Sequence, residues 1–316
     1  MQKGFKRLEH NSTTVTYAAL TGAAIFWGLS FVASKVALES IPPFTLVFAR
    51  FSLASCFFLF LMFRRGFPKF TSREHIKLFF MSLFEPGLYF VFETLGLQHT
   101  TAAKASLIIA AVPLAVTLFA IPLLGERPRG FTVLGIFISF AGIAVLVTGD
   151  PEFQWKMGGR FLGDVLIFCA VLSATFYIIG ARDLGRNHSA LEITSLQILY
   201  GALFFAPGFL WELPEMQWHA VSSRSLAALG YLTVFATIAA FICYNYGLSK
   251  VPASRAALFI NSIPVITTFA AWFVLGERLT LFQICGGVIV VAAVFLSSLA
   301  PAEQSLIAGE LEESAA

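Results

Sequence analysis

Residues 96–127 read "GLQHTTAAKASLIIAAVPLAVTLFAIPLLGER", and residues 247–278 read "GLSKVPASRAALFINSIPVITTFAAWFVLGER". The second stretch is the first moved along by 151 positions without a gap. Extended to 96–138, the alignment keeps about 16 identities in 43 positions, among them Pro113/Pro264 and the whole triplet Gly125-Glu126-Arg127/Gly276-Glu277-Arg278. The chain is therefore duplicated. Each copy is made of apolar runs, and a run of roughly 20 such residues is long enough to cross a bilayer as a helix.

Composition sets the solvent. The 316 residues are 58% hydrophobic and 12% charged, with 35 phenylalanines, where a soluble chain carries about a quarter charged residues. Such a chain cannot cover itself with polar surface, so lipid must. Charge clusters and Pro/Gly turns divide it into ten runs near 17–38, 43–63, 75–97, 100–124, 129–149, 161–182, 190–211, 225–248, 252–275 and 279–300. The first is too long for the core of a signal peptide and has no small-residue cleavage site. The expected fold class is an all-α polytopic membrane protein with ten transmembrane helices. Residues 1–14 form an N-terminal tail, 15–149 the first repeat, 150–160 a linker, 161–301 the second repeat and 302–316 a disordered polar tail.

Five helices per repeat is an odd number, so the second half enters the membrane upside down. That is the inverted repeat of many alternating-access transporters. With the N-terminus inside, 14 of the 21 Lys and Arg residues lie on the inner side, six on the outer side and one, Arg50, within a helix. This bias places both termini in the cytoplasm and the protein in the cell membrane. The triplets then sit on opposite faces, which suits architecture better than ligand binding. Gly125 and Gly276 each end a helix, and Glu126 and Glu277 are expected to cap the next one, with a gating role as the alternative.

"FWGLSFVASKVAL" in the first helix, "ARFSLAS" in the second and the two "LGER" elements together resemble the drug/metabolite transporter superfamily, in its ten-helix EamA-type branch. The resemblance covers nearly the whole chain. It implies ten helices with both ends cytoplasmic and a central cavity lined by helices 1, 3, 4, 6, 8 and 9. It also implies movement of small metabolites, often export of amino acids or derivatives.

Charges at membrane depth are costly, and each is a functional candidate. Glu85, Tyr89 and Glu93, spaced by four, form a polar stripe on helix 3, and Pro86 should loosen the helix beside Glu85. Their repeat partners are Ala236, Ala240 and Tyr244, so the acidic stripe belongs to one half only. Glu85 has no evident partner and is expected to bind a substrate amine or a proton. Glu93 has three readings: a salt bridge to Arg50 as part of an outer gate, ligand contact or proton coupling. Lys35 is a shallower cation. Lys104 and Arg255 align in the repeat and are expected to snorkel to opposite interfaces, with paired gates as the alternative. Gln197 aligns roughly with Arg50, and with Lys35 it joins Arg50, Lys104 and Arg255 as a gate or ion-pair candidate.

Trp27, Phe31, Tyr89, Tyr177 and Tyr244 are candidate cavity walls, and Asn245 and Asn261 are candidate hydrogen-bonding groups. Phosphate-loop, HExxH and paired-aspartate patterns are absent, and the four cysteines have no metal-ligand spacing, so no metal or cofactor is expected. The net charge of +3 is too small and scattered for nucleic acid. The expected function is a secondary or facilitative transporter exporting amino acids or derivatives, with protons as a candidate coupling partner. A multidrug or nucleotide-sugar transporter is the alternative, and a membrane-embedded enzyme or sensor is disfavoured. A duplicated chain can be complete as a monomer.

Overall fold

The computed structural model describes residues 2–124, 130–154, 158–181, 188–248, 250, 259 and 261–298. Gly125, Glu126 and Arg255 lie outside the described residues, as do the tail 302–316 and parts of the 150–160 linker. Regular structure among the described residues is helical: α1 (Gln2–Leu38), α2 (Pro43–Arg65), α3 (Ser72–Ser82), α4 (Tyr89–His99), α5 (Ala102–Ile109), α6 (Val112–Leu124) and α7 (Gly130–Thr148) come first. α8 (Gly159–Ala181), α9 (Ala190–Glu212), α10 (Ser223–Tyr231), α11 (Ala240–Leu248), α12 (Ile263–Leu275) and α13 (Leu281–Ser298) follow. Seven stretches are long and apolar enough to cross a membrane, and three shorter apolar helices, Val133–Thr148, Ile263–Leu275 and Leu281–Leu296, complete the series. Nine of these match the expected runs within a few residues, although α1 continues back to Gln2 through the expected tail; of the ninth run, 252–275, the part before 259 lies outside the described residues and the helix is described from Ile263.

Pairing of the helices follows the duplication. α2 packs on α9 and α7 on α13, each joining a helix to its own repeat counterpart. α4 packs on α8, and α1 correspondingly on α10 and α11. Such an arrangement is what a pseudo-two-fold axis between two inverted halves requires. At the α7–α13 contact the backbones meet closely: a side chain on Gly286 would stand 2.5 Å from the Leu146 nitrogen and 2.8 Å from the Gly142 carbonyl. Small residues permit that approach where lipid supplies no hydrophobic drive.

The third run is interrupted where Pro86 is expected to loosen it, and other runs have interruptions of their own. In the third run, α3 passes into α4 through a π-helical turn, Leu83–Leu88, within which Glu85 is extended (φ −140°, ψ 116°). Proline sterically disfavours the helical conformation in the residue before it, and Pro86 follows Glu85. The second half has its own π turn, Leu232–Ala239, between α10 and α11, and Ala236 occupies the position 151 residues after Glu85. The fourth run divides at Ala110–Ala111 into α5 and α6, one residue before Pro113 can begin to withhold its N–H. Pro264, its repeat partner, stands in the first turn of α12, and Gly276 closes that helix in the left-handed conformation (φ 67°).

Candidate functional site

The break at Glu85 disturbs the helical ladder, and buried carbonyls need partners: the Phe84 carbonyl keeps the Tyr89 N–H, and side chains from neighbouring helices supply the rest. Ser173 Oγ on α8 donates to the Phe84 carbonyl at 2.9 Å, and Gln197 Nε2 on α9 donates to the Glu85 carbonyl at 2.7 Å. The Gln197 Oε1 accepts the Tyr177 hydroxyl at 3.2 Å. Gln197 thus holds the broken backbone. In the other half, Trp27 Nε1 donates to the Ala236 carbonyl at 3.0 Å. The Trp27 ring also meets Phe241 and Tyr244, with centroids 5.5 and 5.0 Å away.

Arg50 is 3% exposed, and among the described residues it makes one hydrogen bond, from Nε to Thr237 Oγ1 at 2.6 Å. Its guanidinium lies over the Phe90 ring, 4.6 Å from the centroid, a geometry in which the ring face attracts a cation. Glu93 is also 3% exposed, and its Oε2 has no hydrogen-bond partner among the described residues. The expected Arg50–Glu93 salt bridge is therefore not formed: a hydroxyl and an aromatic face hold the cation instead. The two charges remain within electrostatic reach, as do Glu85 and Glu93. Glu85 also acts electrostatically on Tyr177 and Tyr244. Glu85, Tyr89, Glu93, Arg50, Tyr177 and Tyr244 thus form one cluster around the two π turns.

Other candidates lie elsewhere. Phe31 is fully packed in the apolar core around α1, α5 and α8. Asn245 lies on α11. Asn261 lines an apolar groove of about 860 Å³ between α12 and α13, with Leu107, Pro264, Thr268 and Trp272. Lys35 donates from Nζ to the Thr100 carbonyl at 2.5 Å.

Lys104 corrects the expectation that it snorkels. It is fully buried and pairs with Asp164 at 2.6 Å and Asp150 at 3.1 Å. Thr100 Oγ1 donates to Asp164 at 2.7 Å, and Arg160 pairs with Asp150 at 3.3 Å. This network joins the ends of three apolar runs, 100–124, 129–149 and 161–182, at the face where α1 ends. Sequence reasoning missed Asp150 and Asp164. Their signal was a pair of acids at helix ends on the face of Lys104, with Pro301 and Thr13 at the repeat-related positions.

Glu277 sits in the same region and also differs from expectation. Its two carboxylate oxygens accept the Ala102 and Ala103 N–H groups at 2.9 and 3.1 Å, capping α5 in the other half. The next helix, α13, is capped by Thr280 and Gln283. A cap needs an acceptor near free N–H groups, and packing of the halves brings α5 closest.

Comparison with known proteins agrees with this architecture. The model of the EamA-like transporter family matches twice, at residues 14–148 and 161–299. An uncharacterized transporter of Archaeoglobus fulgidus is 30% identical over 91% of this chain and 98% of its own length. The uncharacterized transporter YetK of Bacillus subtilis is 26% identical over 89% and 86%. One crystal structure, 18% identical, superposes with a TM-score of 0.64 over 91% of this chain and 99% of its own, a likeness of fold. Two inverted halves, paired helix breaks and this twofold match make the chain a member of the EamA-like transporter family, within the drug/metabolite transporter superfamily.

Proposed function

We propose that this transporter carries small metabolites bearing an amine, amino acids or their derivatives foremost, outward across the cell membrane by rocking of its two halves, with both termini cytoplasmic. One observation carries the reading. Glu85 and Glu93 stand at membrane depth without an ion pair among the described residues, beside Arg50, which is held by a hydroxyl and a ring. Two carboxylates and one guanidinium match the ammonium and carboxylate of an amino acid, with a carboxylate left over to exchange protons. The same balance disfavours phosphorylated cargo, which needs several cations around one site. The helix breaks at Glu85 and Ala236 support alternating access, since transporter sites form where spanning helices are interrupted.

Counterflow in proteoliposomes tests this. Vesicles are preloaded with unlabelled amino acids, and entry of labelled ones is followed with and without a pH gradient. Uptake that requires Glu85, and loses its pH response in Glu85→Gln, is the expected result. Flat traces for all amino acids from folded protein refute the cargo, and an unchanged pH response in Glu85→Gln with normal flux refutes the proton role.

A further inference from the structure

The two helix breaks sit at repeat-equivalent positions, and each frees one carbonyl, that of Glu85 and that of Ala236. Each carbonyl is taken by a side chain of the opposite half, Gln197 for Glu85 and Trp27 for Ala236. The solutions differ. Trp27 supplies a donor alone, whereas Gln197 donates to Glu85 through Nε2 and accepts from Tyr177 through Oε1. A side-chain amide offers both an N–H and a carbonyl: the Glu85 carbonyl can only accept and so takes the N–H, which leaves Oε1 to accept the Tyr177 hydroxyl. The more elaborate grip lies at the break whose residue is acidic. The opposite break carries an alanine and needs no directed side chain.

We propose that Gln197 is a positioning residue for selectivity: with Tyr177 it fixes the extended Glu85 backbone, and so sets where the Glu85 carboxylate meets the amine of the cargo. The proposal rests on the reading of Glu85 given above. Methionine at 197 keeps the volume and removes both hydrogen bonds. Glutamate keeps an acceptor for Tyr177 and has no donor for the Glu85 carbonyl in its ionised form. Phenylalanine at 177 leaves Gln197 in place and frees its amide to turn.

Labelling of Glu85 by dicyclohexylcarbodiimide, followed by peptide mass spectrometry across pH, tests this without knowing the cargo. The groups facing Glu85 are Glu93 and Tyr89 on its own run, Tyr177 on α8 and Tyr244 on α11, with Arg50 of α2 acting through Glu93. None of them is altered in Gln197→Met. One lost hydrogen bond corresponds to a change of about threefold to tenfold. Gln197→Met and Gln197→Glu should change the labelling rate of Glu85 by that factor and displace the midpoint of its pH profile. Tyr177→Phe should do so more weakly. Thr267→Val, which removes a buried bond to a backbone carbonyl elsewhere in the bundle, from Thr267 Oγ1 to Gly28 at 2.7 Å, should leave Glu85 labelling within about twofold, below the change expected from one lost bond. Monodisperse elution of the detergent-solubilised variant on size-exclusion chromatography reports whether it is folded.

Superimposable profiles for wild type, Gln197→Met and Tyr177→Phe overturn the proposal, and so does failure of Glu85 to label in the wild type. Equal displacement by Thr267→Val overturns it as well, because any lost bond in the bundle would then suffice. If Gln197→Met displaces the profile while labelled alanine and lysine neither exchange nor protect Glu85, the positioning stands and the amine-cargo reading fails.

Discussion

Replacing Lys104 by methionine keeps most of the side-chain volume and removes the cation from two buried carboxylates. At 2.6 and 3.1 Å and an effective dielectric of 20, the two attractions amount to about 6 and 5 kcal/mol. Desolvation of the three ions offsets most of that gain, so the pairs add little net stability over a well-packed apolar substitute. Removing one partner is another matter, because the carboxylates stay buried. Asp164 keeps only the Thr100 hydroxyl, while Asp150 retains Arg160 and the Glu152 N–H. The expected loss is about 3–5 kcal/mol, two to four decades in the unfolding constant. Unfolding in mixed micelles by a denaturing detergent, followed by tryptophan fluorescence, measures it. The double variant Lys104→Met/Asp164→Asn removes a charge of each sign and should recover a large part of the loss. A loss below about 1 kcal/mol for Lys104→Met, or strict additivity of the two substitutions, would refute the buried network as described.

Four further outcomes are expected. Gly286→Ala drives a methyl against the α7 backbone, which cannot yield as a side chain can, and should cost about 1–3 kcal/mol. Gly230→Ala, with open space around it, should be neutral or mildly stabilising by the same assay. Glu277→Ala strips two N–H groups at the start of α5 of their acceptor and should cost about 0.5–2 kcal/mol, with faster amide exchange at Ala102 and Ala103. Burial pushes Asp150 up, but the Glu152 N–H together with Lys104 and Arg160 outweighs it and holds the carboxyl below its usual 3.8. A depressed pKa stabilises the fold above the unfolded value and is lost as pH falls through the folded one. The stability gap between wild type and Asp150→Asn should therefore be full at neutral pH and close on acidification, as read by unfolding at a series of pH values.

Much of this molecule is local in origin and could be read along the chain. Membrane length needs only a count of apolar residues, and the inversion needs only the 151-residue offset and an odd number of runs. Pro86 announces a break because a missing N–H and a crowded preceding residue are properties of the chain itself. Gly276 ends α12 because a residue without a side chain enters the left-handed conformation freely. The acid at 85, set against alanine at 236, was visible as an asymmetry of the repeat.

Partners across the bundle were not legible. Arg50 faces Thr237 and Phe90 rather than bridging to Glu93, Lys104 faces Asp150 and Asp164, Glu277 caps α5 of the other half, and Gln197 grips the Glu85 carbonyl. These pairs are separated by 46 to 187 residues wherever the arginine, lysine or glutamine makes a polar bond. Each depends on the rotation and depth of helices whose apolar faces look alike in lipid. A difference of one residue turns a side chain by about 100° around its helix, enough to exchange a carboxylate for a hydroxyl as its neighbour. The sequence by itself determined the solvent, the number of crossings, the inversion and the break at Pro86. Only the packing of one half on the other decided which charges meet, because hydrogen bonds and ion pairs form over a few ångströms and no pattern along the chain measures that distance.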